Sequence, residues 1–199
     1  PSFADTGQSE RQSSQDSSVF MIGLFFLVLT IVYLAMGGVW SFSERVANNL
    51  RIEQDTIGLL LGLSTLTGVI GAVSAGLLAK AERLTTPVIL GFVVSGIAAF
   101  VIAQSDDLAS YSMGILLYGY CYMFTVTFVL GIAAALDSAG RVAIATNAYI
   151  MIPYSLGPAV FGIVGLGNIS MLGWISLAGC VLAGLIVLPV SRKAERHSP

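Results

Sequence analysis

The chain has 199 residues, of which 56% are hydrophobic and only 10% charged, with a formal net charge of -2 and a mean hydropathy of +0.88. A water-soluble domain carries about 25% charge and could not hide so much apolar surface. The composition predicts an integral membrane protein, and without a basic patch it gives no footing for a nucleic-acid partner.

Residues 1–18 are rich in Ser, Gln and Asp with almost nothing to bury, which predicts a disordered cytoplasmic linker. The domain 19–190 then contains six apolar runs, 19–41, 56–79, 87–104, 111–135, 142–166 and 170–190, none with an Asp, Glu, Lys or Arg. Each is about the length that a ~30 Å hydrocarbon core demands at ~1.5 Å per residue. In lipid such a run must close its backbone hydrogen bonds internally. The expectation is an all-α membrane protein of six transmembrane helices, followed by a cytoplasmic tail at 191–199.

Arg11, Lys80, Arg83, Arg141, Arg192, Lys193 and Arg196 lie on the side of the termini, against Arg45 and Arg51 on the other. Because Lys and Arg are retained in the cytoplasm, both termini are expected there, with the protein multi-pass in the plasma (cell inner) membrane. The connections are short, and only the outer one, 42–55, is longer.

The first run carries Tyr33 in mid-span and ends at Trp40, read as an interfacial anchor, with Glu44 and Arg45 beyond it. In the second, Ser64, Gly68, Ala72 and Gly76 recur every four residues, and in the third Gly91, Ser95, Ala99 and Ala103 do so. Such stripes are packing seams; Gly58 and Gly62 repeat the spacing. In the fourth, Tyr111, Tyr118, Tyr122 and Thr125 share one helical face, and the deeper Tyr118 and Tyr122 either line a cavity or pack against neighbours. The fifth crowds Thr146, Asn147, Tyr149, Tyr154 and Ser155 together with the helix breakers Pro153, Gly157 and Pro158. A kink is expected there, shaping either a cavity or only the packing. Asn147 is the best single polar candidate, since its amide both donates and accepts.

Cys121 and Cys180 sit inside apolar runs and the one histidine, His197, is in the tail, so neither a metal site nor a cofactor is expected. The spans contain no histidine or carboxylate and no nucleophile paired with a base, so an enzyme is not expected either.

The stretch Ala135-Leu136-Asp137-Ser138-Ala139-Gly140-Arg141-Val142, followed by Gly157-Pro158-Ala159-Val160-Phe161-Gly162, resembles the tenth-to-eleventh helix region of major facilitator superfamily transporters. There an LDxxGR turn precedes a GPxxxG helix. Gly76-Leu77-Leu78-Ala79-Lys80-Ala81-Glu82-Arg83 is similar to the family's cytoplasmic GxxxDRxGRR signature, with Lys80 where an acid is usual and the second glycine and terminal basic pair missing. Such decay is common in the second copy of the signature. The resemblance implies the C-terminal half of such a fold, built from inverted three-helix repeats. Its first and fourth helices would line a cavity flanked by the second and fifth, which raises Tyr33, Tyr118, Tyr122, Thr125 and Asn147. Gly76, Lys80, Arg83, Asp137, Gly140 and Arg141 would form the cytoplasmic gating motifs.

The function implied is secondary active transport of a small solute, as in efflux, by alternating access. Proton coupling would draw on an acid in the absent half or on Glu44. The partners would be the lipid bilayer, the solute and, if the chain is a fragment, an N-terminal six-helix half. The alternative is a self-contained six-helix protein, acting as a homodimeric transporter or as an assembly partner that transports nothing.

Overall fold

The computed structural model describes residues 3–79, 84–137, 139–164 and 168–195, with side chains from residue 19 on, Val164 excepted. Its regular elements are all helices: α1 (Phe3–Asn49), α2 (Gln54–Leu78), α3 (Thr85–Ala103), α4 (Leu108–Leu136), α5 (Arg141–Tyr149), α6 (Met151–Val164) and α7 (Ile169–Glu195). Five are long and apolar enough to cross a membrane, namely α1 from Val19 on, α2, α3, α4 and α7. The protein is thus all-helical and multi-pass.

The fifth apolar run is divided between α5 and α6. Pro153 has no N–H to offer the Tyr149 carbonyl, so one helical hydrogen bond is missing where α5 gives way to α6, although Ile150 keeps helical dihedrals (φ -57°, ψ -26°) and its N–H donates to the Thr146 carbonyl (3.0 Å). The two pieces still follow α1 through its depth. Phe26 and Thr30 of α1 meet Tyr149, Gly37 meets Tyr154, and Gly38 meets Phe161. The broken pair therefore runs beside α1 and in the same direction.

α1 extends beyond its apolar run at both ends. Residues 3–18, expected as a disordered linker, continue the helix. No proline interrupts them, and each residue added to an existing helix gains a hydrogen bond. At the other end, residues 42–49 were expected in an outer loop but remain helical, because Val46 and Ala47 are buried in the core. The outer connection is reduced to a tight turn. In it the Ile52 N–H donates to the Ala47 carbonyl (3.1 Å) and the Arg51 N–H to that of Asn48 (3.0 Å). Arg51 takes φ 58° there, at the helix-end position that glycine usually fills. α7 also outruns its apolar stretch, so the expected tail is helical through Glu195. The Glu195 carboxylate accepts the Thr85 N–H (2.7 Å) at the start of α3, where the helix dipole favours an anion.

The main packing pairs are α2 with α4, α3 with α7 and α1 with α6, joined by α3 with α4 and α1 with α7. α1 and α2, adjacent in the chain, have little contact. Lipid offers no hydrophobic drive between helices, so the seams depend on close approach at small residues. A Cβ on Gly119 would overlap the Ser64 carbonyl, one on Gly71 the Tyr120 carbonyl, and one on Gly37 the Tyr154 carbonyl. On α3 the expected stripe of Gly91, Ser95, Ala99 and Ala103 is buried throughout. On α2 it shifts: Ser64, Gly68, Gly71 and Ala75 are buried, whereas Gly76 is exposed with nothing within 4 Å of a Cβ. A strict spacing of four drifts off a face that repeats every ~3.6 residues. Gly58 and Gly62 likewise face open space and seal no seam within this chain.

Candidate functional site

A cavity of about 250 Å³ lies between α1, α2, α4 and α6. Tyr118, Gly119, Tyr122 and Met123 of α4 form one wall, and Ser64, Thr65 and Gly68 of α2 the next. Trp40 of α1 and Tyr154 of α6 complete it. Most of these residues fall near the midpoints of their helices; Trp40 lies toward the C-terminal end of α1, and Tyr154 lies in the first turn of α6, near the middle of the α5–α6 crossing. Among the described residues no charged side chain contributes to the lining.

Helical geometry puts Tyr118 and Tyr122, one turn apart, on a common face. The start of α4 is fixed by a reciprocal cap in which the Ser110 N–H donates to Asp107 Oδ1 (2.7 Å). That backbone hydrogen bond, followed by the Ser110 hydroxyl, holds the Asp107 carboxyl below its ordinary pKa. Deeper in α4, the Tyr118 hydroxyl donates to the Met36 carbonyl of α1 (2.5 Å), and the ring stacks on Trp40 with centroids 5.8 Å apart. Tyr122 meets Tyr33 edge-on at 6.1 Å and Tyr154 at 5.7 Å. Four aromatic rings from three helices, Trp40, Tyr118, Tyr122 and Tyr154, thus line the cavity, with Tyr33 packed behind Tyr122.

The residues singled out from sequence separate on folding. Tyr118 and Tyr122 reach the cavity, while Tyr33 is fully buried behind Tyr122 and supports it. Thr125 is buried beside Gly91 of α3, away from the lining. Asn147 is exposed on α5; it is Tyr149 that turns inward, its hydroxyl 2.8 Å from Thr30 Oγ1. Trp40 and Tyr154 were missing from the expected cavity set. Trp40 was read as an interfacial anchor, although its spacing of seven residues from Tyr33 places both on one face. Of the helix breakers, Gly157 lets α6 approach α1, since a Cβ there would overlap the backbone at Gly38. Pro158, inside α6, withholds the donor that the Tyr154 carbonyl would otherwise receive, and it is that carbonyl which lies against Gly37.

At the other end of α4, Asp137 organises the turn into α5. Its carboxylate accepts the N–H groups of Ala139 (3.0 Å) and Arg141 (3.1 Å), and the Arg141 guanidinium lies 3.4 Å away. The Ala139 bond, with the Arg141 charge, holds the Asp137 carboxyl below its ordinary pKa. Gly140 adopts φ 75° between them, a conformation open to glycine at no cost. The Asp-x-x-Gly-Arg spacing thus has a structural meaning independent of any family: acceptor, left-handed corner and first helical residue. A hollow of about 410 Å³ beside this turn is bordered by Ile22 and Phe26 of α1. Lys80 and Arg83, the other expected gating residues, lie outside the described residues, and Gly76 is exposed near the end of α2.

In comparisons with known proteins, no family model matches this chain, and no curated protein or solved structure does so.

Proposed function

We propose that the chain is a six-span half of a secondary active transporter, resembling the major facilitator superfamily, which carries a small solute by alternating access, with α5 and α6 together forming one broken crossing. One observation carries this reading. If α1 is exchanged with α4, α2 with the α5–α6 pair, and α3 with α7, the five main packing pairs map onto one another. The α1–α6 contact becomes α4–α2, α3–α4 becomes α7–α1, and α3–α7 becomes itself. Corresponding helices are three crossings apart and so traverse the membrane in opposite senses, as inverted repeats do. The close approaches follow the same exchange: Gly37 of α1 receives the Tyr154 carbonyl of α6, as Gly119 of α4 receives the Ser64 carbonyl of α2.

The cavity lies where such a fold binds its solute, near mid-membrane beside the proline-bearing α5–α6 crossing. The other half would cover its open side. The turn built on Asp137, Gly140 and Arg141 would steady the cytoplasmic end of the α4–α5 junction in one state and release it in the other.

Alternating access can be measured without knowing the solute. Thr65 lines the cavity and is exposed, whereas Cys121 and Cys180 are buried. In the full-length protein in liposomes, Thr65→Cys should react with an impermeant maleimide from either face, one face at a time. The two rates should change reciprocally when a pH gradient is imposed, and in Asp137→Asn with Arg141→Gln that exchange should shift at least severalfold. Reaction from one face only, under every gradient, would rule the reading out.

A further inference from the structure

The polar atoms of the cavity wall have mostly spent their protons elsewhere. The hydroxyls of Ser64 and Thr65 both donate to the Leu61 carbonyl of their own helix, at 2.7 and 3.3 Å. Tyr118 donates to the Met36 carbonyl. What the Ser64 and Thr65 oxygens retain for an occupant is lone pairs, while the Tyr118 oxygen lies within hydrogen-bond reach of the Tyr154 hydroxyl. Around them stand Trp40, Tyr122 and Tyr154, half-buried rings on three different helices whose faces carry the negative lobe of the aromatic quadrupole. The donors that remain, the Trp40 indole and the Tyr122 hydroxyl, carry no charge, the Tyr154 hydroxyl lies against that of Tyr118, and among the described residues no Lys or Arg reaches the cavity.

An anion would find weak reception in such a wall. A small inorganic cation would have to leave a hydration shell that the few oxygens cannot replace. A weakly hydrated cation with apolar substituents loses little on entry and gains from each ring face it lies over.

We infer that the cavity takes an organic cation, an ammonium group bearing apolar substituents, held among Trp40, Tyr122 and Tyr154. The inference rests on the proposed transport reading in taking this cavity as the solute site. The absence of a carboxylate makes selection depend on ring faces and lone pairs rather than on an ion pair. Affinity should accordingly be modest and little affected by salt.

The test uses choline and its neutral carbon isostere, in which a tert-butyl group replaces trimethylammonium. Trp40 and Trp174 are the two tryptophans of these 199 residues, so Trp174→Phe, with every tryptophan outside them likewise replaced by Phe, leaves Trp40 as the one indole reporter. In full-length protein in liposomes, choline should change Trp40 fluorescence saturably, with the isostere at least about tenfold weaker. Tyr122→Phe and Tyr154→Phe, which keep the ring faces, should bind choline within about twofold of the parent. Tyr122→Leu and Tyr154→Leu should each lose about two- to thirtyfold. The Phe variants report on folding as well as on the hydroxyls. Equal affinity for the isostere, undiminished affinity in both Leu variants, or no saturable choline signal would each overturn the inference. Choline binding with Thr65→Cys labelled from one face only would remove the transport reading and leave the cation site. Alternating access without choline binding would do the reverse.

Discussion

Gly119 and Gly76 show how differently one residue type acts in the same bundle. Gly119 lets α4 lie directly on the backbone of α2 at Ser64, whereas Gly76 faces open space. Gly119→Ala should therefore force the two helices apart and cost about 1–3 kcal/mol in thermal unfolding in lipid, with Gly76→Ala within about 0.5 kcal/mol of the parent. The sequence shows that α2 is rich in small residues, but a partner helix selects which of them are used, and α4 selects Ser64, Gly68, Gly71 and Ala75. The same limit applies to Asn147, whose chemistry suits a binding site but whose side of α5 depends on packing. Asp137, by contrast, was legible because its partners Ala139 and Arg141 are close in the chain. Folding lowers its pKa, so the turn it holds is supported at neutral pH and loses that support as acidification passes the lowered value. Hydrogen exchange should show protection of the Ala139 and Arg141 amides falling on acidification in the parent. In Asp137→Asn it should be low and nearly independent of pH.

At the scale of elements, apolar runs located the helices but not all of their ends. α1 continues past residue 41 because Val46 and Ala47 find a core to enter, and a local hydropathy pattern does not contain that core. The turn that finally stops it places Arg51 in a left-handed conformation. Arg51→Gly should remove that strain and raise stability by about 1 kcal/mol, read as a higher melting temperature. The kink in the fifth run was legible from its prolines, but its position was not. Pro158 stays within α6, where the carbonyl it orphans rests against Gly37, whereas Pro153 sits at the α5–α6 junction, where Ile150 stays helical and only the bond to the Tyr149 carbonyl is lost. Pro153→Ala should supply the missing bond to the Tyr149 carbonyl at the α5–α6 junction and stabilise the span by up to ~3 kcal/mol. If the break serves as a joint, the exchange of Thr65→Cys labelling between faces should slow severalfold in that variant while the melting temperature rises.

For the whole molecule, the distribution of basic residues gives a direct prediction of orientation. Asn49 ends α1 on one side and Ala139 lies in the α4–α5 turn on the other, both exposed. With Cys121 and Cys180 buried, Asn49→Cys should be labelled by an impermeant maleimide in intact cells and Ala139→Cys only after permeabilisation. The opposite pattern would invert the protein in its membrane. The correspondence between the two sets of three crossings could not be read from the chain, because its matching contacts use unlike residues. Tyr154 does on one side what Ser64 does on the other, and only the carbonyl is common to both. The sparse contact between α1 and α2 bears on how the protein is made. A growing chain delivers α1 and α2 to the bilayer as neighbours that cannot lean on each other. α2 has no partner until α4 emerges, and α1 has little of its own interface until α6 and α7 follow. Each early span must therefore persist alone in lipid, which an uninterrupted apolar run permits. A ribosome that stops after α4 would leave α1 largely uncovered, a half-built bundle of the kind that membrane quality control is suited to recognise and degrade.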